Sequence, residues 1–143
     1  MPPDNRSAPE PFAFSLRVYY EDTDTAGVVY YANYLRYLER GRTEWLRALG
    51  IEQARLARET GLVFAVRSLA IEYLKPARLD DPLAVLTQLD AVGRAQVTLK
   101  QWIERGGETL VEASVRIACL DVKKMKPAAL PAEIGKRMSL NPH

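Results

Sequence analysis

The sequence predicts an α+β fold, a curved five-stranded antiparallel sheet wrapped round one long helix. Three observations lead there. Residues 12–20 alternate apolar and polar side chains, the period of a strand with one buried face. Residues 32–49 repeat apolar side chains at intervals of three and four, the period of a helix. Beyond residue 62 the period returns to two, and turn-forming residues cut the run into four strands.

In the first strand Phe12, Phe14, Leu16, Val18 and Tyr20 share the side that should be buried. A loop, EDTDTAG, follows. In the helix, Tyr34, Leu38, Gly41, Trp45 and Leu49 form the apolar stripe, widened by Leu35 and Leu46. Arg36, Arg40, Thr43 and Arg47 lie opposite, and Gly50 suits the stop. Gly41 costs a helix about 1 kcal/mol relative to alanine, so something should pack very close there. A shorter helix over about 51–60 ends before Gly61. Val63, Ala65, Arg67, Leu69, Ile71 and Tyr73 then alternate with Phe64, Val66, Ser68, Ala70 and Glu72, until Lys75, Pro76 and RLDDP break the run. Leu83–Ala91 is a strand ending near Gly93, and Ala95, Val97, Leu99 and Ile103 mark the next. Gly106-Gly107 is a hairpin signal, after which Val111, Ala113, Val115, Ile117 and Cys119 face one way. The tail KKMKPAALPAEIGKRM reads as a loop with one helical turn. Strands joined by short turns pair antiparallel, and the first strand must join the same sheet.

The chain has 143 residues, the size of a single domain, placed at 12–143 behind a flexible tail at 1–11. Hydrophobic residues at 48% and charged residues at 27% exclude a disordered chain. A net charge of +2 is too weak to argue for nucleic-acid binding. No run approaches the roughly 20 apolar residues of a membrane span. The polar, proline-rich start lacks the pattern of a signal peptide, so a cytoplasmic location is expected. The one cysteine, Cys119, excludes an intramolecular disulfide and reads as inert core. The one histidine is His143, the last residue, which disfavours triads, Cys-His pairs and histidine-ligated zinc. An enzyme built from this inventory works with carboxylates, backbone amides and water, and no metal or other cofactor is expected.

The informative stretch is 18–47. Glu21, Asp22 and Asp24 sit at a strand end, Gly27 permits a turn, and a helix N-terminus follows. That terminus offers unpaired N–H groups and partial positive charge. A carboxylate beside such donors can attack a carbonyl or activate water while an amide polarises the carbonyl. An EF-hand loop fails, because its fifth position is Ala26 and its twelfth Asn33. A phosphatase using a D-x-D nucleophile needs a parallel doubly wound sheet, which this order of elements excludes. A plain acidic turn, with Asp22 as a cap, is the remaining alternative.

RVYYEDTD at 17–24, GVVYYANYLRYLERGRTEWLR at 27–47, EYLKPARLDD at 72–81 and KMKPAALP at 124–131 together resemble the hotdog-fold acyl-CoA thioesterases. The nearest likeness is to the YbgC-like subfamily, associated with the Tol-Pal cell-envelope system, within the 4-hydroxybenzoyl-CoA thioesterase family. The likeness spans roughly residues 14–134. It implies a hotdog fold, hydrolysis of an acyl-CoA, and a homodimer or homotetramer with sites between subunits. Acyl carrier protein is an open alternative carrier. A binding protein at the envelope, without efficient turnover, is the alternative function.

By position, the resemblance makes Asp24 the catalytic nucleophile or general base and Asp22 a structural acceptor for nearby amides. It makes the Tyr31 N–H the donor to the thioester oxygen. YbgC-like sequences commonly carry histidine at Tyr31, so any imidazole role is absent here. The cap propensity of Asn33 points instead to a helix start two residues later, with holding the loop or a water as its other possible role. Glu39 matches a position that meets an aryl substrate, and Glu44 is a second helix carboxylate, expected to pair with Arg40 or Arg47. Arg94 matches part of a basic cluster for coenzyme A phosphates, although Gly93 and Ala95 replace its neighbours. Lys75, Lys123, Lys124 and Lys126 are further cationic candidates.

Overall fold

The computed structural model describes residues 10–140. Most of the expected tail, and His143, lie outside the described residues. The elements are β1 (Phe12–Arg17), a 3-10 turn (Tyr20–Asp22), α1 (Ala32–Ala48), α2 (Gln53–Thr60), β2 (Leu62–Tyr73), β3 (Pro82–Val92), β4 (Gln96–Arg105), β5 (Glu108–Asp121), β6 (Lys126–Pro127) and α3 (Ala132–Met138). One antiparallel sheet runs β1-β3-β4-β5-β2, with the stub β6 pairing to β5. The five expected strands are therefore present and joined by a sixth of two residues. The tail forms a seven-residue helix as well as this stub.

β2 and β3 follow one another in the chain but do not pair. β2 pairs with β5, and β3 with β1 and β4. The 74–81 connection is therefore no hairpin turn, although the sheet is antiparallel and includes β1, as expected. Phase fails at two places. Tyr20 leaves the strand for the 3-10 turn and is 81% exposed. In β2 the register shifts between Val66 and Ser68, a β-bulge. Phe64 before the bulge and Leu69 and Ile71 after it all pack on the core, although one period of two separates them onto opposite faces.

Val85, Leu99, Ile103, Val111 and Val115 on the sheet meet Tyr34, Tyr37, Leu38, Trp45 and Leu46 of α1 in one core. Leu35 is exposed rather than part of the stripe, and Tyr37 and Arg42 are buried in its place. Gly41 explains how close the layers come. A Cβ there would lie 2.6 Å from Val85 Cγ1 and 3.4 Å from Gln101 Nε2. Gln101 is itself buried at this crossing. Its Nε2 donates to Leu38 O at 3.0 Å and Thr87 Oγ1 at 2.8 Å, and its Oε1 accepts from Arg42 Nη1 at 3.1 Å. A buried amide is tolerated where its donors and acceptor are engaged in this way.

Gly41→Ala gains about 1 kcal/mol of helix propensity. It also forces a methyl against β-branched Val85, an overpacking cost of about 1–3 kcal/mol. Net destabilisation in urea unfolding is expected, and Val85→Ala in the same chain should relieve part of it.

Candidate active site

The expected site loop is a small hairpin. Thr23 bridges Val29, and Asp24 N–H donates to Val28 O at 2.9 Å. Gly27 N–H closes the turn onto Asp24 O at 3.0 Å, with φ +78° at Gly27. That left-handed conformation is the one glycine adopts without strain. Asp24 Oδ1 accepts the Ala26 N–H at 2.9 Å, an Asx turn that holds the carboxylate at the exposed tip.

Asp22 ties this hairpin to both neighbours. Its Oδ2 accepts the Tyr19 N–H at 2.9 Å, the structural role foreseen for it. Its backbone oxygen accepts the Tyr30 N–H at 3.0 Å and Asn33 Nδ2 at 2.8 Å. Asn33 is therefore not the cap. The cap position belongs to Tyr31, and Asn33 lies inside the first turn, reaching back to the loop. Propensity favoured asparagine at the cap, but the side chain finds its acceptor across the loop instead. Among the described residues the Tyr31 N–H has no acceptor. It stands at the positive end of a 17-residue helix.

A second layer braces the loop. Val29 N–H donates to Ala77 O at 2.9 Å and Leu79 N–H to Gly27 O at 3.2 Å. Ala77 N–H in turn donates to Tyr34 Oη of α1 at 2.9 Å. Arg105 clamps this segment through Asp81 Oδ2 at 2.8 Å and Pro76 O at 3.2 Å. Burial pushes the Asp81 carboxyl up, but hydrogen bonds from Arg105 and the Arg78 amide outweigh it, and its pKa is lowered overall. Lys75 is engaged by Glu108 at 2.5 Å, so its ammonium already has a partner.

An aromatic cluster that sequence reading missed gathers on the Tyr31 side chain. Tyr31 packs on Tyr30 and Tyr73 with ring centroids 5.0 and 5.9 Å apart, and Tyr73 on Tyr34 at 5.6 Å. Tyr73 is 42 positions from Tyr31, and no local pattern joins them. Tyr37 Oη is buried with no hydrogen-bond partner among the described residues. Burial, then the nearby Asp22 carboxylate, raises its pKa well above the usual phenol value.

The loop thus gathers Asp24, Gly27, Tyr31 and Asn33. The other candidates lie apart. Glu39 lines a cavity of about 160 Å³ with Arg42, Thr43 and Leu46. Arg94 shares a hollow of about 620 Å³ with Arg67, Gln96 and Pro127. A third hollow, about 670 Å³, includes Glu72, Lys100 and Trp102. Glu44 pairs with Arg47, as its helical spacing implied. Lys123, Lys124 and Lys126 are exposed around the turn into β6. Cys119 is buried, and burial raises its thiol pKa. No helix among the described residues is long and apolar enough to cross a membrane.

Asn33→Ala removes the tie between α1 and the loop. A loss of about 1 kcal/mol in thermal or urea unfolding is expected. Asp81 stabilises the fold above its unfolded pKa of about 3.9, and that contribution is lost as pH falls through its lower folded value. Asp81→Asn should therefore destabilise by about 1 kcal/mol near neutral pH. In urea melts taken at acid pH, below the folded pKa, the variant and native chains should converge.

Residues 18–138 match the Thioesterase-like superfamily. An acyl-CoA thioesterase YbgC of Haemophilus influenzae is 48% identical over 123 residues, covering 86% of this chain and 90% of that protein. An acyl-CoA thioester hydrolase YbgC of Escherichia coli O6:H1 is 44% identical, covering 86% and 92%. A solved probable thioesterase from Bartonella henselae superposes with a TM-score of 0.79 at 39% identity, covering 85% of this chain and 99% of that one. A solved 4-hydroxybenzoyl-CoA thioesterase superposes at 0.84 with 19% identity, a likeness of fold, covering 90% and 99%. The sheet curled on its central helix is the hotdog fold, and the chain belongs to the thioesterase-like superfamily.

Proposed function

We propose that this protein hydrolyses an acyl-CoA thioester to a carboxylic acid and free coenzyme A. One observation supports the reading most: a single braced hairpin presents the Asp24 carboxylate and leads directly into the unpaired Tyr31 amide. The names of the relatives, acyl-CoA thioesterases, agree with it.

Asp24 is the nucleophile or general base. Ala26 N–H engages Oδ1, and Oδ2 is left for the thioester carbon or for a water. The Tyr31 N–H meets the oxygen on which negative charge develops, where a pre-aligned donor is worth most. Asn33 and Asp22 hold the start of the helix against the loop, and Gly27 makes the turn. Thiols are acidic among leaving groups, with a pKa of about 8.5 for cysteine, so a thiolate departs without an acid. That suits a chain whose one histidine is its last residue. Arg94, with Arg67 in the same hollow, is the cationic site for the phosphates of coenzyme A. Glu39 meets the acyl group or the subunit boundary. β2 is an open edge strand, which supports a homodimer or a homotetramer.

The test is free-thiol release from a panel of acyl-CoAs by native protein and by Asp24→Asn. The amide is a poor nucleophile and no base. A fall in kcat of at least about a hundredfold is expected, with unchanged circular dichroism. A variant that retains activity removes Asp24 from the mechanism. A native protein that binds acyl-CoA or acyl carrier protein without turnover replaces the enzyme with a binding protein.

A further inference from the structure

The brace behind the candidate site ends in a cluster of charged side chains. Gly106 and Gly107, at φ +56° and +85°, make the two-residue turn between β4 and β5, where both central positions must be left-handed. The turn sets Arg105 directly opposite Glu108. Both side chains reach across to the 74–81 connection. Arg105 Nη1 donates to Asp81 Oδ2 at 2.8 Å and to Pro76 O at 3.2 Å, and its Nη2 donates to Glu108 Oε1 at 2.9 Å. Glu108 Oε2 accepts from Lys75 Nζ at 2.5 Å. One guanidinium thus grips both ends of the connection. An isolated surface ion pair contributes little. Here the pairs share members, and the side chains of Arg105 and Asp81 are only 28% and 21% exposed. Hydrogen bonds from Lys75 and Arg105 hold the Glu108 carboxyl below its usual range, so the cluster keeps its charges at neutral pH.

The segment held in this way is strained. Asp81 Oδ2 also accepts the Arg78 N–H at 2.8 Å, and the Asp81 N–H donates to Arg78 O at 3.1 Å. Inside that turn Asp80 has φ +69°, a left-handed conformation that a residue with a side chain adopts at a cost. Such a conformation persists where the surroundings over-determine it. The same few residues carry the site hairpin on their other side. Arg78 bridges Val28, the Leu79 N–H donates to Gly27 O, and Ala77 O accepts the Val29 N–H. Val28 O in turn accepts the Asp24 N–H. A series of backbone pairs therefore leads from the turn that Arg105 grips to the residue that bears the candidate carboxylate.

We propose that Arg105 is a positioning residue for the Asp24 hairpin. By closing on Asp81 and Pro76 it fixes the 78–81 turn, and the turn fixes where the Asp24 carboxylate stands relative to the Tyr31 N–H. Glu108 and Lys75 steady the near end of the same connection. The inference rests on the reading of Asp24 as the reacting carboxylate. A misplacement of about 1 Å between reacting groups costs about a hundredfold in rate even when its cause lies far from the chemistry.

Steady-state thiol release by Arg105→Gln, Asp81→Asn and the double variant tests it, at a temperature where circular dichroism shows each to be folded. Each single variant should lower kcat at least about tenfold and leave KM within about twofold, since neither residue is assigned a contact with substrate. The double variant should be within about twofold of the slower single one, because two partners of one contact do not add. Arg105→Lys keeps the charge and should retain more of kcat than Arg105→Gln, which also covers the case in which the glutamine variant fails to fold. Met138→Ala, a core truncation in α3, is the control for lost stability and should leave kcat unchanged. Amide hydrogen exchange over residues 23–30 should be faster in Arg105→Gln than in Met138→Ala. Single variants with native kcat overturn the proposal. So do additive losses, or a fall in kcat that Met138→Ala reproduces. A native protein without turnover fails the reading of Asp24 instead. The exchange measurement then decides the role of Arg105 by itself, and unchanged protection of residues 23–30 in Arg105→Gln overturns it.

Discussion

The close approach of α1 to the sheet at Gly41 is the constraint on which the rest of the structure depends. A residue without a side chain lets Val85 and Gln101 sit where a Cβ would otherwise be. Gln101 then bonds the helix backbone at Leu38 and strand β3 at Thr87. Dispersion alone lets a helix slide along a flat apolar surface. A buried amide with three engaged partners fixes one position along the axis, because any slip strands polar groups out of water. The axial position of α1 decides where its N-terminus emerges, and the candidate site is built on that terminus.

From the helix the constraint passes outward through short contacts. Tyr34 holds Ala77, the 77–79 segment holds Val29 and Gly27, and Asp22 holds Tyr30 and Asn33. Every link is a hydrogen bond to backbone, so the path depends little on side-chain rotamers at the tip. The connection between β2 and β3 is long because it braces this loop. Arg105 and Asp81 secure its far end. A whole interstrand connection thus serves to position the loop that carries Asp24.

What the sequence disclosed follows the range of the interaction. The period of α1, the turn at Gly27 and the pairing of Glu44 with Arg47 depend on neighbours within one turn or hairpin, and each was readable. Gly41 was readable as a cost without a partner, since its explanation stands 44 and 60 positions away in Val85 and Gln101. The bulge at Arg67 was not readable. A period of two assumes an uninterrupted ladder, and the extra residue is justified by packing on both sides of it. Asn33 shows the limit most clearly. Its cap propensity is local, whereas its acceptor, Asp22 O, is supplied by a loop that folds back from eleven residues earlier. The tyrosine cluster joins residues from three elements and left no signature in any of them.

The remaining polar groups separate by whether they are satisfied. Gln101, Thr87, Asn33 and Asp22 are buried or half-buried and engaged, and they hold the architecture. Among the described residues the Tyr31 amide and most donors of Arg42 are unengaged. A folded protein keeps few such groups, since each one withdrawn from water without a partner costs about 1–3 kcal/mol. Tyr31 lies in an exposed stretch at the start of α1, so its amide keeps access to water, whereas the Arg42 guanidinium is largely withdrawn from it. Tyr37 is the exception that tests this logic. Its hydroxyl is orphaned in the interior, beside the carboxylate of the residue that joins loop to helix. Its cost is offset by the packing of its ring in the core, edge-on to Tyr34 with centroids 6.1 Å apart.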